Sequence, residues 1–213
     1  GVFMKFMPIN RYLKICALGA AVLLSSSLTA CVAPILLGGA VVGGTMVATD
    51  RRTSGAQLED EGVELRAVGQ IRSNFGTRVR VNVTSYNRQV LLTGEVPSLQ
   101  DKERVERLIS QLDNVRSVVN ELEVLNSPTL AERSSDALIT GRVKAMLLEA
   151  KDVKANAFKI VTERGTTYLI GRVTQREADR ATEVVRSATG VQKVVRLLEL
   201  ITEQELQRLE SAK

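Results

Sequence analysis

Arg78-Val-Arg-Val-Asn-Val-Thr-Ser-Tyr86 alternates apolar and polar residues and puts Val79, Val81 and Val83 on one face. Asn87-Arg88 turns the chain, and Gln89-Val-Leu-Leu-Thr-Gly94-Glu-Val96 reads as the returning strand. A period of two, interrupted by a two-residue turn, is the pattern of a β-hairpin. The same pattern recurs at Ala157-Phe-Lys-Ile-Val-Thr-Glu-Arg-Gly-Thr-Thr-Tyr-Leu-Ile-Gly171-Arg-Val173. Without a gap, Val81 aligns with Phe158, Val83 with Ile160, Leu92 with Leu169, Gly94 with Gly171 and Val96 with Val173. The chain is a tandem repeat, and one unit decides the fold of both.

A helix follows each hairpin. Ser98 precedes Val105, Leu108, Ile109 and Leu112, an apolar stripe at helical spacing. In the second copy Thr174-Gln-Arg-Glu177 is a capping box, ahead of a buried face of Ala178, Ala181, Val185 and Ala188. A last strand closes each unit. Val115, Val118, Val119 and Leu122 align with Val191, Val194, Val195 and Leu198. A helix also precedes each hairpin. Leu65, Val68, Ile71 and Phe75 predict its core stripe in the first copy, behind the acidic first turns of Glu59, Asp60, Glu61 and Glu64. In the second copy the helix is expected over 136–150, with Ile139, Val143, Met146 and Ala150 inward. Each unit is thus α-β-β-α-β, an α+β fold with a three-stranded mixed sheet covered on one face by two helices. Such a sheet is about the smallest core that stands alone. Gly94 and Gly171 are expected at a bulge or a close backbone approach.

The expected organisation is a signal peptide over 1–30 and a lipidated N-terminus with Gly-rich linker over 31–57. Two domains follow, at 58–126 and 127–201, and then a charged tail at 202–213. Of the 213 residues, 44% are hydrophobic and 25% charged, as in an ordinary globular protein. Aromatics make up 3% and Trp is absent, so the cores are aliphatic. The formal charge is +5, but residues 1–30 carry Lys5, Arg11 and Lys14 and no acid. The remainder is close to neutral and gives no ground for a nucleic-acid partner. His is absent, which removes the commonest general base and metal ligand. No phosphate loop, nucleophile elbow, C-x-x-C or H-E-x-x-H is present. The expectation is no enzyme and no metal. Acidic residues on the strands are expected to face solvent.

The residues Val83, Val90, Leu92, Gly94 and Val96, then Val115, Val118, Asn120, Leu122 and Val124, resemble the BON domain. The second copy offers Ile160, Gly165, Leu169, Gly171 and Val173, then Gly190, Val191, Val194 and Leu198. Two departures stand out: Asn87-Arg88 where Gly would suit the turn, and Arg196 at the position of Asn120.

At the N-terminus, the apolar run Ile15 to Leu24 follows Arg11 and Lys14 and leads into Ser25-Ser26-Ser27. Basic start, short apolar run and small-residue exit are the parts of a secretory signal. As a helix the run rises only about 15 Å, half of a hydrocarbon core. Leu28-Thr29-Ala30-Cys31 resembles the lipobox of bacterial lipoproteins. That resemblance implies a diacylglyceryl thioether and an N-acyl chain on Cys31 and no other cofactor. The absence of Asp at Val32 favours the outer membrane. Residues 32–49, VAPILLGGAVVGGTMVAT, form an apolar Gly-rich collar.

Two BON domains behind a lipobox are similar to a dual BON-domain outer-membrane lipoprotein. The resemblance implies a non-enzymatic protein, lipid-anchored on the periplasmic face of the outer membrane. It implies support of envelope integrity and binding of anionic phospholipid, phosphatidylglycerol or cardiolipin, through the first helix of the second domain. In this chain that region is Leu138, Ile139, Gly141, Arg142, Lys144, Ala145 and Leu148. A helical wheel agrees on its own terms. Leu138, Gly141, Ala145 and Leu148 form a second apolar stripe opposite the core, with Arg142 and Lys144 between the faces and Lys151 at the end. An interfacial helix needs such a face. Copy one is expected to lack it. Two alternatives stay open: Leu138 and Leu148 could pack on the first domain or the tail, and the chain could instead be a periplasmic scaffold for an envelope protein partner in outer-membrane assembly or a cell-wall amidase pathway. In the family an aromatic stands at the position of Leu138, so shallower insertion is expected here.

Overall fold

The computed structural model describes residues 50–125 and 129–211. Cys31, the leader, the collar to Thr49 and the linker Asn126-Ser127-Pro128 lie outside the described residues. Domain 1 runs α1 (Ser54–Phe75), β1 (Arg80–Tyr86), β2 (Gln89–Val96), α2 (Leu99–Ser110) and β3 (Ser117–Val124). Domain 2 repeats it: α3 (Leu130–Glu149), β4 (Phe158–Glu163), β5 (Thr166–Val173), α4 (Gln175–Arg186) and β6 (Lys193–Leu200). The charged tail forms a short helix, α5 (Glu203–Ser211), seated by buried Ile201 and Leu206.

Each sheet has the order first, second, third strand. The hairpin strands are antiparallel, and the strand after the crossover helix runs parallel to the second. The register confirms the repeat, with Val81 opposite Gly94 and Phe158 opposite Gly171. A Cβ at Gly94 would run into the Arg80 carbonyl oxygen, and one at Gly171 into that of Ala157. Close approach of neighbouring strands therefore requires both glycines.

The turn Asn87-Arg88 has positive φ at both residues, 48° and 67°, where non-glycine side chains are uncommon. Asp60 of α1 explains how the sequence tolerates it. Its carboxylate accepts the amides of Asn87 (2.7 Å) and Arg88 (2.9 Å) and the hydroxyl of Ser85 (2.7 Å). Burial disfavours its charge. The amide of Arg88, the hydroxyl of Ser85, the Arg52 guanidinium and the amide of Asn87 outweigh this, and its pKa lies below the ordinary value. Asp136 of α3 does the same for Arg164-Gly165, accepting both amides at 2.8 and 2.9 Å. The helix-to-turn tie is thus part of the repeat.

Both cores follow the expected pattern, with one correction. In α1 the inward residues are Val63, Ala67, Ile71 and Phe75. Leu65 and Val68, expected inward, are exposed. The true stripe recurs every fourth residue and drifts slowly round the helix, and two of its members are the small Ala67 and the modest Val63. A stripe read from the largest apolar residues alone therefore takes the wrong phase.

The sheet faces away from the helices meet each other. Tyr86, Leu91, Tyr168 and Ile170 form a third buried cluster, flanked by Val119, Val161, Val195 and Leu197. Burial pushes the Tyr86 phenol up to about 12. The strand acids were expected in solvent, and here the structure differs. Glu95 is 2% exposed and binds Arg80 at 2.6 Å and Arg164 at 2.9 Å. Glu163 pairs with Arg80 and accepts from Asn82 at 2.9 Å. Lys159 reaches Glu64 at 2.7 Å, and Asn87 donates to Glu199 at 2.7 Å. Arg51 completes the junction. It makes two 2.7 Å bonds to the Glu177 carboxylate and a 3.0 Å bond to the Arg172 carbonyl. The result is four layers, helices–sheet–sheet–helices.

Candidate functional site

The helix that bears the expected site begins earlier than the sequence pattern suggested. α3 starts at Leu130 because Thr129 caps it, its hydroxyl and Glu132 forming a reciprocal capping box. Sequence reasoning missed this box, although Thr129-x-x-Glu132 carries the same signature as Thr174-x-x-Glu177. The added turn brings Leu130 and Arg133 onto the helix surface.

Ile139, Val143 and Leu147 face the core of domain 2. Ile139 is 5% exposed, so of the residues assigned to phospholipid it belongs to the core and lies outside the exposed face. The others are on the surface. Leu138 is 68% exposed and Leu148 67%, so they pack neither on domain 1 nor on the tail helix. Gly141, Arg142, Lys144 and Ala145 are exposed with them, and Leu130 (74%) extends the stripe by two turns. No atom lies within 4 Å of where a Gly141 Cβ would stand, so the stripe is open at that position.

The two shoulders of this stripe differ. On the wheel Arg133 and Lys144 fall on one side, Lys151 follows just past the helix end, and none makes an ion pair among the described residues. Arg142 lies on the other shoulder and donates to the carbonyl of Thr189, which fixes it against the loop before β6. That loop is close-packed on α3, for a Cβ at Gly190 would meet Ile139 at 2.7 Å. The face is therefore a mainly apolar strip, interrupted by Ser134, with a basic border on one side and the tethered Arg142 and Glu149 on the other. Among the described residues there is no group of metal ligands. No helix of the described residues is long and apolar enough to cross a membrane.

Copy one also departs from expectation. Leu58, Leu65 and Val68 of α1 are 70%, 76% and 50% exposed, so it too presents an apolar stripe.

The BON domain family matches residues 67–126 and 135–202. The chain belongs to the BON-domain family. Each matched segment begins within the first helix of an α-β-β-α-β unit and takes in the rest of it, so the BON repeat is what the two sheets share. The chain is 35% identical over 186 residues to outer membrane lipoprotein DolP of Haemophilus influenzae, covering 86% of this chain and 93% of that protein. It is 32% identical to a 21 kDa hemolysin of Actinobacillus pleuropneumoniae, over 71% of this chain and 79% of that one. Osmotically-inducible protein Y of Escherichia coli is 27% identical over 54% of this chain and 58% of its own length. The likeness to the DolP protein extends well beyond a single BON unit and includes both.

Proposed function

We propose that this chain is a non-enzymatic outer-membrane lipoprotein on the periplasmic face, anchored through Cys31, that binds anionic phospholipid through α3 and supports envelope integrity. The likeness to the H. influenzae lipoprotein over nearly its whole length supports the outer-membrane setting. One observation carries the lipid reading: Leu138 and Leu148 stand 68% and 67% exposed on a helix whose opposite face already fills the core. Leucines enter the headgroup region while Arg133, Lys144 and Lys151 meet phosphate. Each cation near an anionic surface contributes about 1 kcal/mol, so α3 alone binds weakly. The acyl chains supply retention, at about 0.8 kcal/mol per buried CH₂, and they raise the local concentration of α3 at the bilayer.

The test separates anchor from helix. A Cys31→Ala chain should co-sediment weakly with phosphatidylglycerol or cardiolipin vesicles and less with phosphatidylcholine. Leu138→Asp in that background should abolish the difference. Equal binding to charged and neutral vesicles, or no effect of Leu138→Asp, rejects the reading. Envelope integrity that survives in an anchored Leu138→Asp strain would favour the protein scaffold instead.

A further inference from the structure

The apolar stripe of α1 lies in the outer layer opposite α3, because the two sheets meet through their inner faces. It is a separate face from that of α3 and calls for an occupant of its own. Leu65 and Val68 form its middle, with exposed Gly69 beside them. No atom lies within 4 Å of where a Gly69 Cβ would stand, which leaves an open notch for a close-packed helix.

The charges on the same shoulder of α1 indicate which helix. Glu61 lies one turn before Leu65, and Arg72 one turn after Val68. Both are exposed, and neither forms an ion pair among the described residues. An antiparallel copy of α1, related by a two-fold axis between Arg66 and Ala67, sets Leu65 against Val68 of the other copy. The same operation sets Glu61 against the other copy's Arg72. In antiparallel helices like shoulders meet, so each end of the apolar pair is closed by an ion pair of opposite sign. Such self-complementarity is what a two-fold interface demands. A parallel copy would instead oppose like charges at both ends.

We propose that α1 is a homodimer interface in which two chains pair antiparallel through Leu65 and Val68, with Glu61–Arg72 pairs at either end. One helix per partner buries less than the roughly 1,000 Å² of a lasting interface, so the pair is weak in dilute solution. Confinement of both copies to one surface, which rests on the anchoring proposed above, raises its population.

Chemical cross-linking of the full chain in cells tests this. Val68→Cys with a short bis-maleimide linker should give a band of doubled mass. The parent chain sets the background, and Glu103→Cys on the exposed side of α2 sets the collision level. Glu61→Arg or Arg72→Glu, added singly to Val68→Cys, should reduce the doubled band to the collision level. Both together should restore it. Leu138→Asp should leave it intact, so failure of the lipid reading does not imitate failure of this one. A doubled band no stronger than that of Glu103→Cys overturns the proposal. So does one indifferent to charge reversal, or one lost with Leu138→Asp.

Discussion

At the residue scale, the two BON units are tied by one aspartate each, and the ties are not of equal weight. Asp60 holds a turn whose residues are both non-glycine at positive φ, and it is 2% exposed. It also receives Arg52 at 2.7 Å, and that guanidinium lies 4.2 Å over the Tyr86 ring. Asp136 holds a turn whose second residue is Gly165, which takes φ of 73° at little cost. Substitution by Asn keeps shape but reduces the acceptors and removes the charge. Asp60→Asn should therefore cost about 2–3 kcal/mol, because it leaves strained amides short of an acceptor and takes from Arg52 one of its two carboxylate partners, the other being Asp50. Asp136→Asn should cost about 1–2 kcal/mol. Urea denaturation of the two variants checks the order, and equal losses would mean that the glycine does not relieve the second turn. Neither tie could be read as such in the sequence. Asp60 looks like one of several acids suited to a helix N-terminus, and only the fold shows which one reaches the turn.

At the scale of elements, the hairpins were legible because period two, a turn and a glycine recur in register. The capping box Thr174–Glu177 likewise marked the start of α4. The inner sheet faces were not foreseen, yet a signal existed. Val90-Leu91-Leu92 and Tyr168-Leu169-Ile170 are apolar at successive positions, the mark of strands covered on both faces. The lipid-binding assignment came from family resemblance, and its exposed leucines came from the wheel. Ile139 fell out because its burial follows the wheel rather than the neighbourhood of the site. For α3 the apolar strip lacks an aromatic, and Trp is favoured where a ring sits half in the headgroups. Leu138→Trp, at a position open enough to take it, should tighten binding to phosphatidylglycerol vesicles by a few-fold, about 1 kcal/mol or less. Tryptophan fluorescence should shift blue on vesicle addition, and the chain has no other Trp to confuse the reading. An unshifted spectrum would place the stripe away from the bilayer.

At the scale of the whole molecule, the two domains are held by apolar strand faces edged with carboxylates, and the N-terminal approach to domain 1 is fastened to domain 2. Arg51 is 5% exposed and Glu177 2%. Burial of Glu177 opposes its charge, but Arg51 and the Thr174 amide overcome that and hold its pKa below the usual carboxylate range. Asp60 is depressed as well. A carboxyl depressed on folding binds fewer protons in the native state than in the unfolded one. Its stabilisation is full above the unfolded value, about 4, and is lost as pH falls through the folded value. The urea midpoint should thus stay level from pH 7 to about 5 and fall steeply below 4. Glu177→Gln removes one of these groups and leaves Arg51 uncompensated, which should lower stability at pH 7 by about 2–4 kcal/mol. Because the variant has less to lose on acidification, its curve should converge on the parent's near pH 3. If the two curves instead run parallel from pH 7 to 3, the Arg51–Glu177 pair does not couple acid to the junction of the domains. Convergence would show that one ion pair, made by the segment that precedes α1, helps set how the two BON domains are held.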